Sequence, residues 1–185
     1  MRHGEKQGGD LSVDGQLRAK FVPEYFKEFR PDGVPFPTHI ISMKPQHETS
    51  SRRCIDTLIP MMRTFCMTLH IEIKRDDVEQ LVNYIQSLPE SSVVLVCWEH
   101  HSLVFIARAL GFPVMNWNET PFTINIDTKR FDILWKIDED LFESFMTFSI
   151  EDDKMSFYLH PLRQRFIRDQ LVASMGARWT KPSIA

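Results

Sequence analysis

The sequence predicts an α/β fold, a layered sheet with helices on both faces, and three observations predict it. Over residues 1–112, short apolar runs alternate with stretches whose apolar residues recur every three to four positions, so strands and helices take turns. Val93-Val94-Leu95-Val96-Cys97-Trp98 is apolar throughout, as expected of an inner strand of a parallel sheet. The chain of 185 residues, 43% hydrophobic and 25% charged, is long enough for one domain with a real core. No internal repeat, low-complexity tract or linker divides it, so a single domain over 1–185 is expected.

The elements follow in order. Residues 2–10 read as a polar, glycine-rich loop. A helix is expected from Gln16 to about Phe29, with Leu17, Phe21, Tyr25, Phe26 and Phe29 as its apolar stripe, capped by Ser12 or Asp14. Pro31, Gly33, Pro35 and Pro37 end it. His39 to Met43 reads as a buried strand, and Ser51 to Thr68 as a helix that kinks or stops at Pro60, where an amide donor is lost. Ile71-Glu72-Ile73 is a candidate strand, Asp76 to Leu88 a helix, Val93 to Trp98 the inner strand, and Ser102 to Leu110 a helix stopped by Gly111 and Pro113. The last third changes character. Phe131–Ile137, Phe145–Ile150 and Met155–Leu159 read as a meander of strands with a polar turn at 151–154. Trp117 and Phe122–Ile126 lie between helix and meander, Leu162–Met175 reads as a closing helix, and the remainder as a frayed tail.

Composition excludes some classes of function. Lys and Arg number 22 against 25 Asp and Glu, a formal charge of -3, which offers no general attraction for nucleic acid or an anionic membrane. No apolar run approaches the ~20 residues of a membrane span, and the first ten residues lack the apolar core of a secretory signal. Cys54, Cys66 and Cys97 lack C-x-x-C spacing, which favours reduced thiols and a cytoplasmic location.

Three basic stations can carry chemistry: Arg2-His3-Gly4-Glu5, Arg52-Arg53 at a helix head, and Glu99-His100-His101 after the inner strand. In an α/β sheet, strand ends and helix N-termini converge on one crevice. Arginine forks and helix amides suit phosphate there. Arg52 competes with Arg53, and His101 with His100, for the same roles. No compact H-E-x-x-H cluster is present, so a metal hydrolase using His3, His47, His100 and His101 is the weakest candidate.

With these motifs in place, the chain resembles the histidine phosphatase superfamily, the phosphoglycerate mutase-like group. Arg2-His3-Gly4-Glu5 matches its opening motif, Leu11-Ser12-Val13-Asp14-Gly15 its lead into the first helix, Arg53-Cys54-Ile55-Asp56-Thr57 its second basic motif, and His100 its histidine after an apolar strand. The likeness is strongest over 1–112. It implies that His3 is a nucleophile that becomes phosphohistidine, and that Arg2, Arg53 and His100 surround the phosphoryl group. It further implies a phosphomonoester phosphatase without metal or other cofactor. The substrate would be a small phosphorylated molecule or a phosphoprotein, and association into a homo-oligomer is left open.

Two departures from the pattern matter. The family places an apolar strand immediately before the opening motif, where the sequence has only Met1. Either the sequence is a piece of a longer chain, or another segment or subunit takes that place. The expectation is therefore that Met1 to His3 exchange among conformations, and that residues 1–185 are less stable and more self-associating than a version extended by an apolar strand. The proton donor is also unassigned. Glu72, Asp76 and Asp77 lie in the right interval, Glu99 adjoins His100, and Glu5 either orients His3 or Arg2 or lies in solvent. The runner-up function is accordingly a weak or inactive phosphate-ligand or protein-interaction domain.

Overall fold

The computed structural model describes residues 1–47, 50–117, 130–151, 154–157 and 163–175. These form a mixed α/β structure. Its centre is a parallel sheet of three strands, β3 (His39–Ser42), β4 (Leu69–His70) and β5 (Val94–Cys97), in the order β4-β3-β5. His39 pairs with Val94 and Ser42 with Cys97. Side chains alternate across it. Ile40, Leu95 and Cys97 pack toward α1 (Val13–Glu24) and α2 (Arg53–Phe65). Ile41, Val94, Val96 and Trp98 pack toward α3 (Val78–Ser87) and α4 (His100–Ala109). Helices thus cover both faces, as the apolar run predicted.

Residues 2–10 are more ordered than a loop. A hairpin of β1 (Lys6–Gln7) and β2 (Asp10–Leu11) turns at Gly8, whose φ of 60° suits glycine. Helix α1 begins earlier than expected, because Ser12 caps it by accepting from the Gly15 amide at 3.1 Å. Its buried face is Gly15, Arg18, Ala19 and Val22, while Phe29 of the expected stripe is exposed. Pro23 lies inside the helix, which continues as a π-helical turn over Tyr25–Phe29.

Pro60 neither ends nor splits α2, correcting that expectation. Proline forfeits one helix hydrogen bond, but its neighbours Leu58 and Met61 are completely buried, and their packing holds the helix through it. Helix α2 ends instead at Cys66, which adopts a left-handed φ of 52°. The candidate strand at Ile71–Ile73 is displaced to β4, two residues earlier.

The second half holds an antiparallel sheet in the order β10-β7-β6: β6 (Ile133–Ile137), β7 (Leu141–Met146) and β10 (Arg163–Ile167). The expected strand Phe145–Ile150 is divided. Thr147 leaves the ladder and bonds Asp132 O through both its amide and its hydroxyl, so β8 (Phe148–Glu151) pairs separately with β9 (Lys154–Phe157). The expected closing helix is also half strand, since β10 pairs with β7 before α5 (Arg168–Met175) begins. Long-range pairing overrides local helix pattern there. Phe122–Ile126, the turn residues 152–153 and the expected tail lie outside the described residues. Among the described residues, no helix is long and apolar enough to cross a membrane.

Met1 and Arg2 do not float free of the sheet. The Met1 amino group donates to Val96 O at 2.7 Å, Trp98 N donates to Met1 O at 3.1 Å, and Arg2 forms a parallel bridge with Trp98. The expectation that Met1 to His3 lack support is not met, because β5 supplies an edge that they extend along.

Candidate functional site

Arg2, His3 and Gly4 lie where the open edge of β5 ends, and all three are buried. The tightness of this corner explains its glycines. A Cβ on Gly4 would stand 2.7 Å from Gly15 O, and one on Gly15 would overlap Glu5 O. The loop therefore crosses the start of α1 in direct backbone contact. Gly4 N donates to Thr57 Oγ1 at 3.0 Å, and that hydroxyl donates to Arg53 O at 2.7 Å. Thr57, completely buried, thus ties the opening motif to the first turn of α2.

His3 is 2% exposed. Its Nδ1 lies 2.6 Å from Gly4 O. A carbonyl oxygen accepts but never donates, so Nδ1 carries the proton and Nε2 keeps its lone pair. The pKa of His3 is lowered to about 4, chiefly by burial and further by the charges of Arg53 and Arg2, against the raising effects of Gly4 O and Glu99. At neutral pH His3 is a neutral imidazole with an unprotonated Nε2. The Arg2 guanidinium lies 4.0 Å over the Phe131 ring and donates to Arg130 O at 3.3 Å. Burial lowers its pKa to about 10, leaving it a cation.

The structure separates the two competing arginines. Arg53 is half-buried, acts electrostatically on both His3 and Arg2, and donates through Nη1 to Gly8 O at 3.0 Å. Its Nε is buried without a hydrogen-bond partner among the described residues. Arg52 points to solvent, 3.8 Å from Asp56. The phosphomonoesterase activity that the resemblance implies is expected to fall ~100-fold or more in kcat/KM in Arg53→Ala, the scale for losing a fixed charge donor. Arg52→Ala should change it less than threefold, and stability by under ~0.5 kcal/mol. Steady-state kinetics of both variants check this; a greater loss for Arg52→Ala would exchange their roles.

His100 is the first residue of α4, not a strand-end residue. Glu99 caps that helix, accepting from His101 N at 2.9 Å and Ser102 N at 3.3 Å, while Oε1 lies 2.5 Å from His100 Nδ1. Burial opposes ionisation of Glu99, but the hydrogen bond and charge of His100, with His101, outweigh it and hold the pKa down to about 2. Glu99 also acts electrostatically on Arg2 and His3. His101 is exposed, with its ring 4.0 Å from that of His100.

The other candidate acids are corrected. Glu5 does not face solvent freely: its carboxylate is clamped by Arg18, with Nε at 3.0 and 2.9 Å and Nη2 at 2.5 Å, and its charge also acts on Arg2. Arg18 is itself buried and also donates to Phe148 O at 3.0 Å. Glu72 is exposed, 4.0 Å from Lys44. Asp76 pairs with Arg75 at 2.8 Å, and Asp77 caps α3. All three are drawn into these surface and capping contacts rather than to His3. Arg18 went unrecognised in the sequence, and Thr57 entered only as part of the second basic motif, without a role. Thr57 had a signal, since it follows Arg53 by one helical turn, whereas nothing local marks Arg18 as a partner of Glu5. His47 is exposed. Among the described residues, Glu99, His100 and His101 form one cluster whose ligand atoms lie within 4.8 Å of one another.

The His3 pKa carries a stability consequence. A histidine whose folded pKa lies below its unfolded value near 6.5 favours the folded state fully above that value, and the benefit drains away as pH falls toward 4. This corresponds to at most ~3 kcal/mol. Denaturant titrations from pH 7 to 4 should show stability falling across this window, and a flatter profile in His3→Gln. Glu99 does not confuse the reading, because its contribution is lost below the window, as pH falls from about 4.5 toward 2.

No protein-family model and no curated protein matches the chain.

Proposed function

We propose that this chain hydrolyses phosphomonoesters through a phosphohistidine on His3. The observation that carries the reading is a buried, neutral imidazole, its Nδ1–H spent on Gly4 O and its Nε2 without a partner among the described residues, within the electrostatic reach of the Arg2 and Arg53 guanidinium groups. Nε2 attacks phosphorus, the P–N bond forms, and the ester P–O bond breaks. Arg2 and Arg53 offset the charge on the phosphoryl oxygens. The departing oxygen takes its proton through His100, because Glu99 is already ionised above about pH 2 and the remaining candidate acids are engaged elsewhere. Water then attacks phosphorus, the P–N bond breaks, the water proton leaves to solvent, and His3 returns to its neutral form with inorganic phosphate released. The residues named need no metal for either step.

The absence of a carboxylic acid poised to donate, among the described residues, is what favours a second reading: a phosphate-ligand domain with little turnover. One experiment separates them. Brief reaction with a labelled phosphomonoester, alkaline quench and peptide mapping should find label on the peptide containing His3, stable to base and labile to acid. Binding of inorganic phosphate without label transfer or phosphate release would leave the second reading in place of the first.

A further inference from the structure

Glu99, His100 and His101 are consecutive, and their side chains converge. Successive side chains on a helix diverge by ~100°, yet the rings of His100 and His101 have their centroids 4.0 Å apart and are tilted by 37°. Glu99 divides its carboxylate between two tasks. Oε2 accepts from the His101 and Ser102 amides and so caps α4, which leaves Oε1 to face His100 Nδ1 at 2.5 Å. That contact is close but bent away from the line of a ring N–H. By the directional requirement of a hydrogen bond, the buried Nδ1 has no partner among the described residues. An oxygen and a nitrogen held side by side, rather than end to end, stand as two ligands of one ion do. The side chains of His100 and Glu99 are only 13% and 18% exposed, whereas His101 is exposed. Packing therefore fixes two of the three, and the third is able to adjust.

We infer that Glu99, His100 and His101 bind one divalent transition-metal ion of the zinc class. The inference concerns binding and does not depend on the phosphatase reading. Two imidazoles and a carboxylate suit zinc, cobalt or nickel, whereas magnesium and calcium prefer sites built of oxygen alone. With metal–ligand bonds of ~2.0–2.2 Å, two ligand atoms on a tetrahedral ion stand ~3.4 Å apart. Those of the three residues already lie within 4.8 Å of one another, so a turn of the exposed His101 ring closes the site. Three protein ligands leave a further position open to water. The start of a helix repels a cation. Here the carboxylate of Glu99, its pKa held down to about 2, sets a full negative charge against that repulsion.

The probe is the metal alone. Residues 1–185, first stripped with a chelator, are titrated with zinc chloride in a calorimeter and with cobalt chloride in a spectrophotometer. Zinc should bind saturably, and cobalt should give visible d–d bands without the near-ultraviolet charge-transfer band of a thiolate ligand. His101→Ala removes an exposed side chain, so its circular dichroism spectrum should match the parent's. It should nonetheless weaken zinc binding at least ~10-fold, the lower end of what losing even an outer partner of a metal ligand costs. Glu99→Gln keeps an oxygen to cap α4 but loses the charge, and should weaken binding likewise. His47→Ala removes an exposed histidine elsewhere and should leave the affinity unchanged. Unchanged binding in His101→Ala would overturn the proposal, as would an equal loss in His47→Ala. A thiolate band, equal competition by magnesium, or no saturable binding at ~1 mM zinc would overturn it as well.

Discussion

Replacing His3 with alanine is expected to lower phosphate release by at least ~10⁴-fold, the scale on which removal of a nucleophile acts. Helix and sheet content should stay close to the parent's. The side chain is buried, so some loss of stability is expected as well, and a rate loss by itself would not identify the role. Added imidazole provides the distinction. A free imidazole can enter the space left by the ring and attack phosphorus in its place, so partial rescue that rises with imidazole concentration marks a missing nucleophile. A fold weakened by a cavity would gain stability from a ligand without recovering turnover specific to imidazole. Unchanged phosphate release would remove His3 from the mechanism.

Gly15→Ala should be more damaging than the same change at Gly4, Gly8, Gly9 or Gly111. Its Cβ would overlap Glu5 O, with Glu5 C and N both 3.0 Å away. These are backbone atoms, fixed on one side by the Ser12 N to Glu5 O bond and on the other by the Thr57 hold on Gly4. Relief requires moving the opening loop or the start of α1, and we expect a loss of ~3 kcal/mol or more. Gly9→Ala is the control, since nothing lies within 4 Å of its added methyl. Thermal melts of the two variants decide it. Equal melting temperatures would mean that the loop does not press on the helix.

The first half of the fold was legible because its signals are local. A wholly apolar run marks β5, three- and four-residue spacing marks α3, Gly111 and Pro113 mark the end of α4, and Ser12 was one of two candidate caps for α1. The antiparallel sheet was less legible. Nothing near Arg163–Ile167 announces that it will pair with β7, a partner some twenty residues earlier, and the division at Thr147 depends on a hydrogen bond to Asp132. In the site, the motif residues His3, Arg2, Arg53 and His100 were named from sequence; Arg2 and Arg53 act electrostatically on His3, and His100 pairs with Glu99. The supporting groups were not. Glu5 looked like a free acid because Arg18, its partner, lies in α1 on a face expected to be apolar. Asp76 and Asp77 suited a donor by interval, but an interval carries no direction, and their carboxylates serve Arg75 and a helix cap.

The hydrogen bonds that seat Arg2 also set an order of events in the making of the chain. Arg2 donates to Arg130 O, 128 positions onward, and Met1 to Val96 O, 95 positions onward. Contacts this distant in sequence pay their loop-closure entropy before they return anything. At ~5–20 residues per second of synthesis, about ten seconds pass between the appearance of Arg2 and that of Arg130. During that interval α1 and α2 can dock and β3 can form, yet the corner that holds His3 has neither its floor nor its wall. The site is therefore among the last parts to be completed, and a nascent chain halted before β6 would possess the motif residues while lacking the pocket that lowers the pKa of His3.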